Sequence, residues 1–203
     1  MTPERPPLPV IIAAAVAIAF FLIPIAGLIA RAPWATAVEE LTRPEALAAL
    51  RVSFVVSVAS TILAVFFGVP LAWLYARVAF PGRDVVRALT TLPMILPPVV
   101  GGVALLFAFG RAGLIGPVLD GLFGIRLPFT TLAAVLAWAR GLGEFGATIT
   151  FAGNLPGVTQ TLPLAVLVAL ESRPEVALML SLLLLAISAV VLVALRDRYL
   201  RLA

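Results

Sequence analysis

The sequence contains no cysteine, no histidine and no lysine, and only 12% of its residues are charged. Without cysteine there is no disulfide and no thiolate chemistry, so the redox compartment is left open. The joint absence of cysteine and histidine removes the usual transition-metal ligands and the commonest general base. The sequence therefore predicts no metal site, no cofactor and no catalytic residue.

Apolar residues make up 63% of the 203 residues, and the mean hydropathy is +1.17. Soluble domains are closer to half apolar and about a quarter charged. A chain with so little polar surface predicts an integral membrane protein. Its fourteen basic residues are all arginine and do not cluster with aromatic residues, so a single-stranded nucleic-acid groove is not expected.

Five apolar runs match the roughly 20 residues of helix that cross a bilayer core of about 30 Å. The predicted spans are 8–30, 52–76, 89–110, 131–151 and 176–195. The first run could instead be a secretory signal peptide, but it is longer than the usual apolar region of about 7–15 residues. Arginines near span ends place the turn after the second span, the N-terminus and the C-terminus on the cytoplasmic side.

Two of the runs carry features beyond hydropathy. Small hydroxyl residues of the second run share one helical face, which favours a packing seam with a neighbouring helix over a substrate contact. They are Ser53, Ser57, Ser60 and Thr61. The third run contains three prolines and two adjacent glycines, which is typical either of a broken helix lining a transport path or of a kinked helix held by its neighbours.

The fourth run contains two ionisable residues, Arg140 and Glu144, at positions i and i+4 of a helix. Side chains at this spacing lie on one face and can pair, which lowers the cost of burying them in the membrane. A buried ion pair of purely structural importance and the polar lining of a substrate path both fit. The path is favoured because Thr148, Thr150 and Asn154 continue the polarity. Residues 152–172 then predict a Gly/Pro-broken gate or re-entrant segment, since the apolar run from 162 to 170 is too short to span.

The stretch "RGLGEFGATITFAGNLPGVTQTLPLAVLVALES" closely resembles the permease subunit of molybdate ABC importers, and is similar to the permeases for sulfate and tungstate. The stretches "FGVPLAWLYAR", "FPGR", "LPMILPPVVGG", "GRAGLIGPVLD" and "IRLPFTTLAAV" match the same family in the same order. The resemblance covers nearly the whole chain, and its Gly-Glu-Phe-Gly-Ala-Thr block is specific.

This resemblance implies an all-α, type I importer-like helical bundle in the bacterial plasma (inner) membrane, surrounded by lipid. Two copies would form a homodimer around a central path, driven by ABC ATPase subunits and supplied with oxyanion by a periplasmic or surface-tethered binding protein. Hydroxyl, amide and backbone N–H groups would suit a tetrahedral oxyanion as donors. The candidates for lining or gating are Thr148, Thr150, Asn154, Thr159, Gln160 and Thr161, with Glu144 positioning the gate.

The sequence departs from the family at one place. Family members carry a cytoplasmic loop with a Glu-Ala-Ala motif that docks on the ATPase, whereas "PFTTLAAV" here runs directly into "LAWARGLGEFG". With the N-terminus inside, five spans would leave the arginine-rich C-terminus outside, against the rule that arginines near span ends favour the cytoplasmic side. The conflict disappears if residues 129–170 enter the membrane and return to the same face. An internal deletion of a few dozen residues near 132–136 is the favoured interpretation, and a natural short form is the alternative.

The leading functional hypothesis is a non-enzymatic permease subunit of an ATP-driven molybdate, tungstate or sulfate importer. A Walker motif is impossible in a chain without lysine, so ATP hydrolysis would lie in a partner. The alternatives are a secondary transporter or channel that works alone, and a shortened permease that inserts without transporting.

Overall fold

The computed structural model describes residues 7–95, 98–141 and 145–200, and every regular element in these ranges is helical. The prediction of an all-α membrane protein is confirmed. In chain order the α-helices are α1 (Leu8–Arg31), α2 (Ala37–Thr42), α3 (Pro44–Arg77), α4 (Arg83–Ile95), α5 (Pro98–Phe109), α6 (Gly116–Phe123), α7 (Thr131–Gly141), α8 (Phe145–Phe151), α9 (Leu162–Ser172) and α10 (Pro174–Leu200). The chain divides into a terminal unit, Met1–Leu41 with Ala169–Ala203, and a central unit, Thr42–Val168.

In the terminal unit, α1 packs along α10. None of the residues of α1 is buried. Its last turn is closed by Trp34, whose indole N–H donates to the Ile29 carbonyl over 2.9 Å and satisfies one of the carbonyls that a helix end leaves without a partner. Both α1 and the Pro174–Ala194 part of α10 are long and apolar enough to cross a membrane.

In the central unit, α3 is the long element, with 34 residues and a length of about 51 Å at 1.5 Å per residue. It begins at Pro44, eight residues before the predicted span, because proline at the first helical position costs no hydrogen bond. It is also long and apolar enough to cross a membrane. Val52 and Val56 are buried on α3 where α7 packs against it.

The contact face of α7 consists of small residues. Ala133, Ala134 and Ala137 are all 0% exposed, so the backbones of α3 and α7 approach closely. In a membrane this close packing replaces the hydrophobic effect as the source of helix association.

The predicted spans 89–110 and 131–151 each correspond to two helices. The first contains the end of α4 and all of α5, and the second contains α7 and α8; residues 96–97 and 142–144, which join them, lie outside the described residues. The predicted loop 111–128 contains the short helix α6, which ends at Gly124 in the left-handed conformation (φ 64°). That these segments cross the membrane stays a prediction.

The helices α5 and α8 meet at Gly102. An added Cβ at this glycine would lie 2.7 Å from the Cβ of Thr150 and 3.1 Å from the backbone of Ala147. Neither neighbour is a flexible chain end that could move aside. Gly102 is therefore required by the close approach of the two helices.

We expect Gly102→Ala to destabilise the central unit by about 1–3 kcal/mol, the usual cost of overpacking a close contact. Gly121→Ala on α6 is the matched control, because an added Cβ there meets nothing within 4 Å. Thermal unfolding in detergent measures both. Equal melting temperatures for the two variants would show that α5 and α8 do not touch at this point.

Candidate functional site

The segment from residue 152 to residue 161, here called the gate loop, is folded around a single carbonyl group. The Leu155 oxygen accepts hydrogen bonds from the backbone N–H groups of Val158, Thr159 and Gln160, at 3.1, 3.0 and 3.0 Å. The Leu155 N–H in turn donates to the Thr159 hydroxyl over 2.9 Å. Four backbone N–H groups of this Gly/Pro-rich stretch are therefore satisfied within the stretch itself, without a helix.

Two side chains from other helices hold the gate loop in place. The Thr131 hydroxyl of α7 donates to the Val158 carbonyl over 3.0 Å. The Ser53 hydroxyl of α3 accepts a hydrogen bond from the Leu162 N–H, at 2.7 Å, where the loop enters α9. The loop is thus fixed to α7 near its middle and to α3 at its end.

The entry to the gate loop depends on a glycine in the left-handed region. Gly153 has φ 76°, and an added Cβ would lie 2.7 Å from the Phe129 ring. Phe129 itself has φ 62°, which is uncommon for a residue other than glycine. Gly157, further along the loop, also has a positive φ of 73°, but an added Cβ there meets nothing within 4 Å.

Four of the predicted gate residues lie in the protein interior. Thr148, Thr159 and Thr161 are at most 1% exposed and Gln160 is 7% exposed. In the conformation described their side chains are therefore largely shielded from solvent, and one of them, Thr159, bonds the loop directly, as the acceptor for the Leu155 N–H.

The other two predicted residues, Thr150 and Asn154, are partly exposed. The Thr150 hydroxyl donates to the Gly146 carbonyl of its own helix over 2.7 Å, so its proton is already committed. The Asn154 Oδ1 is buried and has no hydrogen-bond partner. Asn154 is consequently a predicted residue with an unused hydrogen-bonding atom.

The predicted ion pair between Arg140 and Glu144 cannot be placed. Glu144 and the side chain of Arg140 lie outside the described residues, so the pair stays a prediction. Within the described ranges no group of three or more histidine, cysteine, aspartate or glutamate side chains could hold a metal ion.

Sequence reasoning assigned no gate role to the two anchors, Ser53 and Thr131. Ser53 did belong to the predicted packing seam of α3, and its hydroxyl does lie at a helix contact. Its partner, however, is the backbone of a residue 109 positions away. No local pattern reveals such a pairing.

Three helices within the described residues are long and apolar enough to cross a membrane, which defines the class of multi-pass membrane proteins. No family model matches the chain. It is 35% identical to the molybdenum transport system permease protein ModB of Mycobacterium bovis, over 89% of this chain and 90% of the relative. The chain belongs to this family of permease proteins, as the sequence resemblance predicted.

Two further relatives show how wide the similarity is. The ModB permease of Escherichia coli K12 is 33% identical over 65% of this chain and 82% of its own length. A probable sulfate transport system permease protein, cysT of Zygnema circumcarinatum, is 32% identical over 59% of this chain and 42% of its own length. Permeases named for molybdenum transport and for sulfate transport are thus both similar to this chain.

The alignments contain positions that this chain lacks. The match to the M. bovis protein runs over 241 aligned positions and covers 89% of the 203 residues of this chain, which is about 181 residues. About 60 of the aligned positions therefore have no counterpart in this chain. The E. coli match runs over 190 positions with about 132 residues of this chain (65%), which leaves about 58. The Z. circumcarinatum match runs over 123 positions with about 120 residues of this chain (59%) and is nearly free of gaps. The shortfall is therefore internal to the alignments.

We expect Gly153→Ala to destabilise the gate loop more than Gly157→Ala does. Both variants place a side chain in the left-handed region, which lowers the free energy of unfolding by about 1–2 kcal/mol each. Only Gly153→Ala also meets the Phe129 ring, which adds about 1–3 kcal/mol of overpacking. Unfolding measured by intrinsic fluorescence in detergent compares them. If Gly157→Ala were the more damaging, the contact between Gly153 and Phe129 would be wrong.

Proposed function

We propose that the chain is the membrane subunit of an ATP-driven importer of molybdate or a related oxyanion. The observation that carries the proposal is the match to the M. bovis molybdenum permease, which extends over 90% of that protein. The similarity to a sulfate permease supports an oxyanion as the substrate class. An ABC ATPase and an oxyanion-binding protein would be the partners, and two copies of the chain would enclose the path.

Asn154 is our candidate for direct contact with the oxyanion. Its partly exposed amide carries two N–H donors, and tetrahedral oxyanions are recognised by such donors. Thr150 ranks second, because its hydroxyl proton would first have to leave the Gly146 carbonyl. The buried residues Thr148, Thr159, Gln160 and Thr161 would act as the support of the gate. A path with few charges would bind oxyanion weakly, which suits release after each passage.

The internal shortfall favours a second candidate, a permease that is not coupled to the ATPase in this form. The missing positions number about 60, which is enough for a cytoplasmic loop together with part of a span. The place favoured from the sequence, 132–136, lies in α7, which packs against α3 and in which Ala133, Ala134 and Ala137 are fully buried. The shortened chain would therefore fold while lacking the docking segment for the ATPase.

Uptake of radiolabelled molybdate into proteoliposomes tests both candidates. We compare the chain alone, the chain with the ATPase and the binding protein, and the same assembly after the corresponding M. bovis segment is inserted at 132–136. We expect no uptake by the chain alone, and ATP-dependent uptake by the complete assembly after insertion. Uptake before insertion as well would remove the uncoupled candidate.

Uptake that needs no ATPase would instead identify a secondary transporter or channel. No uptake by either assembly, with all subunits shown to be bound, would reject the permease proposal. An ATPase variant that binds but does not hydrolyse ATP is the control for passive leakage.

Single cysteines test which residues border the path, because the chain has none of its own. We expect Asn154→Cys in the assembled transporter to react with a membrane-impermeant thiol reagent at least about tenfold faster than Thr148→Cys, since Thr148 is 1% exposed. Phe20→Cys is the control: Phe20 is 72% exposed on α1, but its surroundings in the bilayer are apolar. Equal labelling of positions 148 and 154 would contradict the assignment of the path.

A further inference from the structure

We infer that Ser53 is a positioning residue that makes the gate loop move together with α3. The inference rests on the proposed function insofar as the loop acts in transport. The inference is based on one hydrogen bond, in which the Leu162 N–H donates to the Ser53 hydroxyl. This bond joins the beginning of α9 to the long helix α3 of the central unit.

The bond supplies a partner that Leu162 cannot find elsewhere. The first N–H groups of a helix have no acceptor within it, and α9 begins at Leu162. Leu162 is 1% exposed and Leu164 is 0% exposed, so water does not reach this helix end. Pro163, the second residue of α9, has no N–H group. Of the first two residues of α9, only Leu162 therefore has a donor that needs a partner. Ser53 thus serves as a cap supplied by another helix.

Ser53 lies within the contact between α3 and α7. Val52 and Val56, the buried residues of α3 at this contact, flank it in sequence. Across the contact, Thr131 at the start of α7 holds the Val158 carbonyl of the gate loop. The loop is therefore attached at two points to a pair of helices that pack closely against each other.

The internal bonds of the loop make these attachments effective over its whole length. Because the N–H groups of Val158, Thr159 and Gln160 all donate to the Leu155 carbonyl, a shift at either anchor displaces the loop as a unit. A translation or rotation of α3 must then either carry the loop along or break the Ser53 bond. Ser53 lies nine residues after the start of α3 at Pro44, about 14 Å of helix with no internal proline, so a movement of this part of α3 reaches the loop through continuous helix.

The test compares Ser53→Ala, which removes the acceptor, with Ser53→Thr, which keeps the hydroxyl. Ser57→Ala, one turn further along α3, is the matched control. Hydrogen–deuterium exchange of the peptide that contains Leu162 reports the bond itself. Gln160→Cys, which is 7% exposed in the parent chain, reports loop position through its rate of reaction with a thiol reagent. Molybdate uptake by the transport-competent assembly reports function.

For Ser53→Ala we expect about tenfold faster exchange at Leu162, as for loss of a buried hydrogen bond, and a similar increase in labelling at position 160. Uptake falls at least about threefold while ATPase binding is unchanged. Ser53→Thr restores all three readouts toward the parent values, and Ser57→Ala leaves them unchanged.

Unchanged exchange and labelling in Ser53→Ala would overturn the inference. Faster exchange with unchanged labelling and uptake would also overturn it, because Ser53 would then be only a structural cap. If the parent assembly shows no uptake, the proposed function fails, while the exchange and labelling results still decide whether Ser53 positions the loop.

Discussion

The central constraint on this protein is that hydrocarbon offers no partner for a backbone N–H or carbonyl group. A helix satisfies these groups internally, but residues 152–161 do not form a helix, and their polar groups need other partners. Within the loop, the Leu155 carbonyl and the Thr159 hydroxyl provide some of these partners, and the Thr131 hydroxyl of α7 provides one for the Val158 carbonyl. A non-helical segment can therefore exist beside apolar helices, and such a segment is where a transport protein can place a gate.

The same environment explains why small residues occupy the helix contacts. Lipid is as apolar as leucine, so large apolar side chains gain little by meeting each other in place of lipid. Close approach of backbones gains van der Waals contact instead. The buried alanines of α7 on α3 and the glycine of α5 beside α8 follow this rule. The large apolar side chains of α1 remain exposed, which in a soluble protein would mark an aggregation site.

Hydropathy and motif resemblance were sufficient to predict the fold class and the family. Long uncharged runs translate directly into helices such as α1, and the block from Gly143 to Thr148 is specific enough to identify a permease. What could not be predicted is set by contacts between distant residues. The bond between Ser53 and Leu162 depends on how α3 and α9 are placed, and the burial of Thr148 and Thr159 depends on helix packing. Polar residues in an apolar run indicated a candidate site, but not which of them are buried and which are partly exposed.

In the gate loop, the groups that set the backbone conformation are different from the side chains that form the exposed surface. Its fold is set by backbone groups converging on Leu155 and by one buried hydroxyl, whereas the side chains of Leu155, Pro156 and Val158 point outward and are exposed. Substitutions at these three positions can alter what the loop presents without removing the hydrogen bonds that define it.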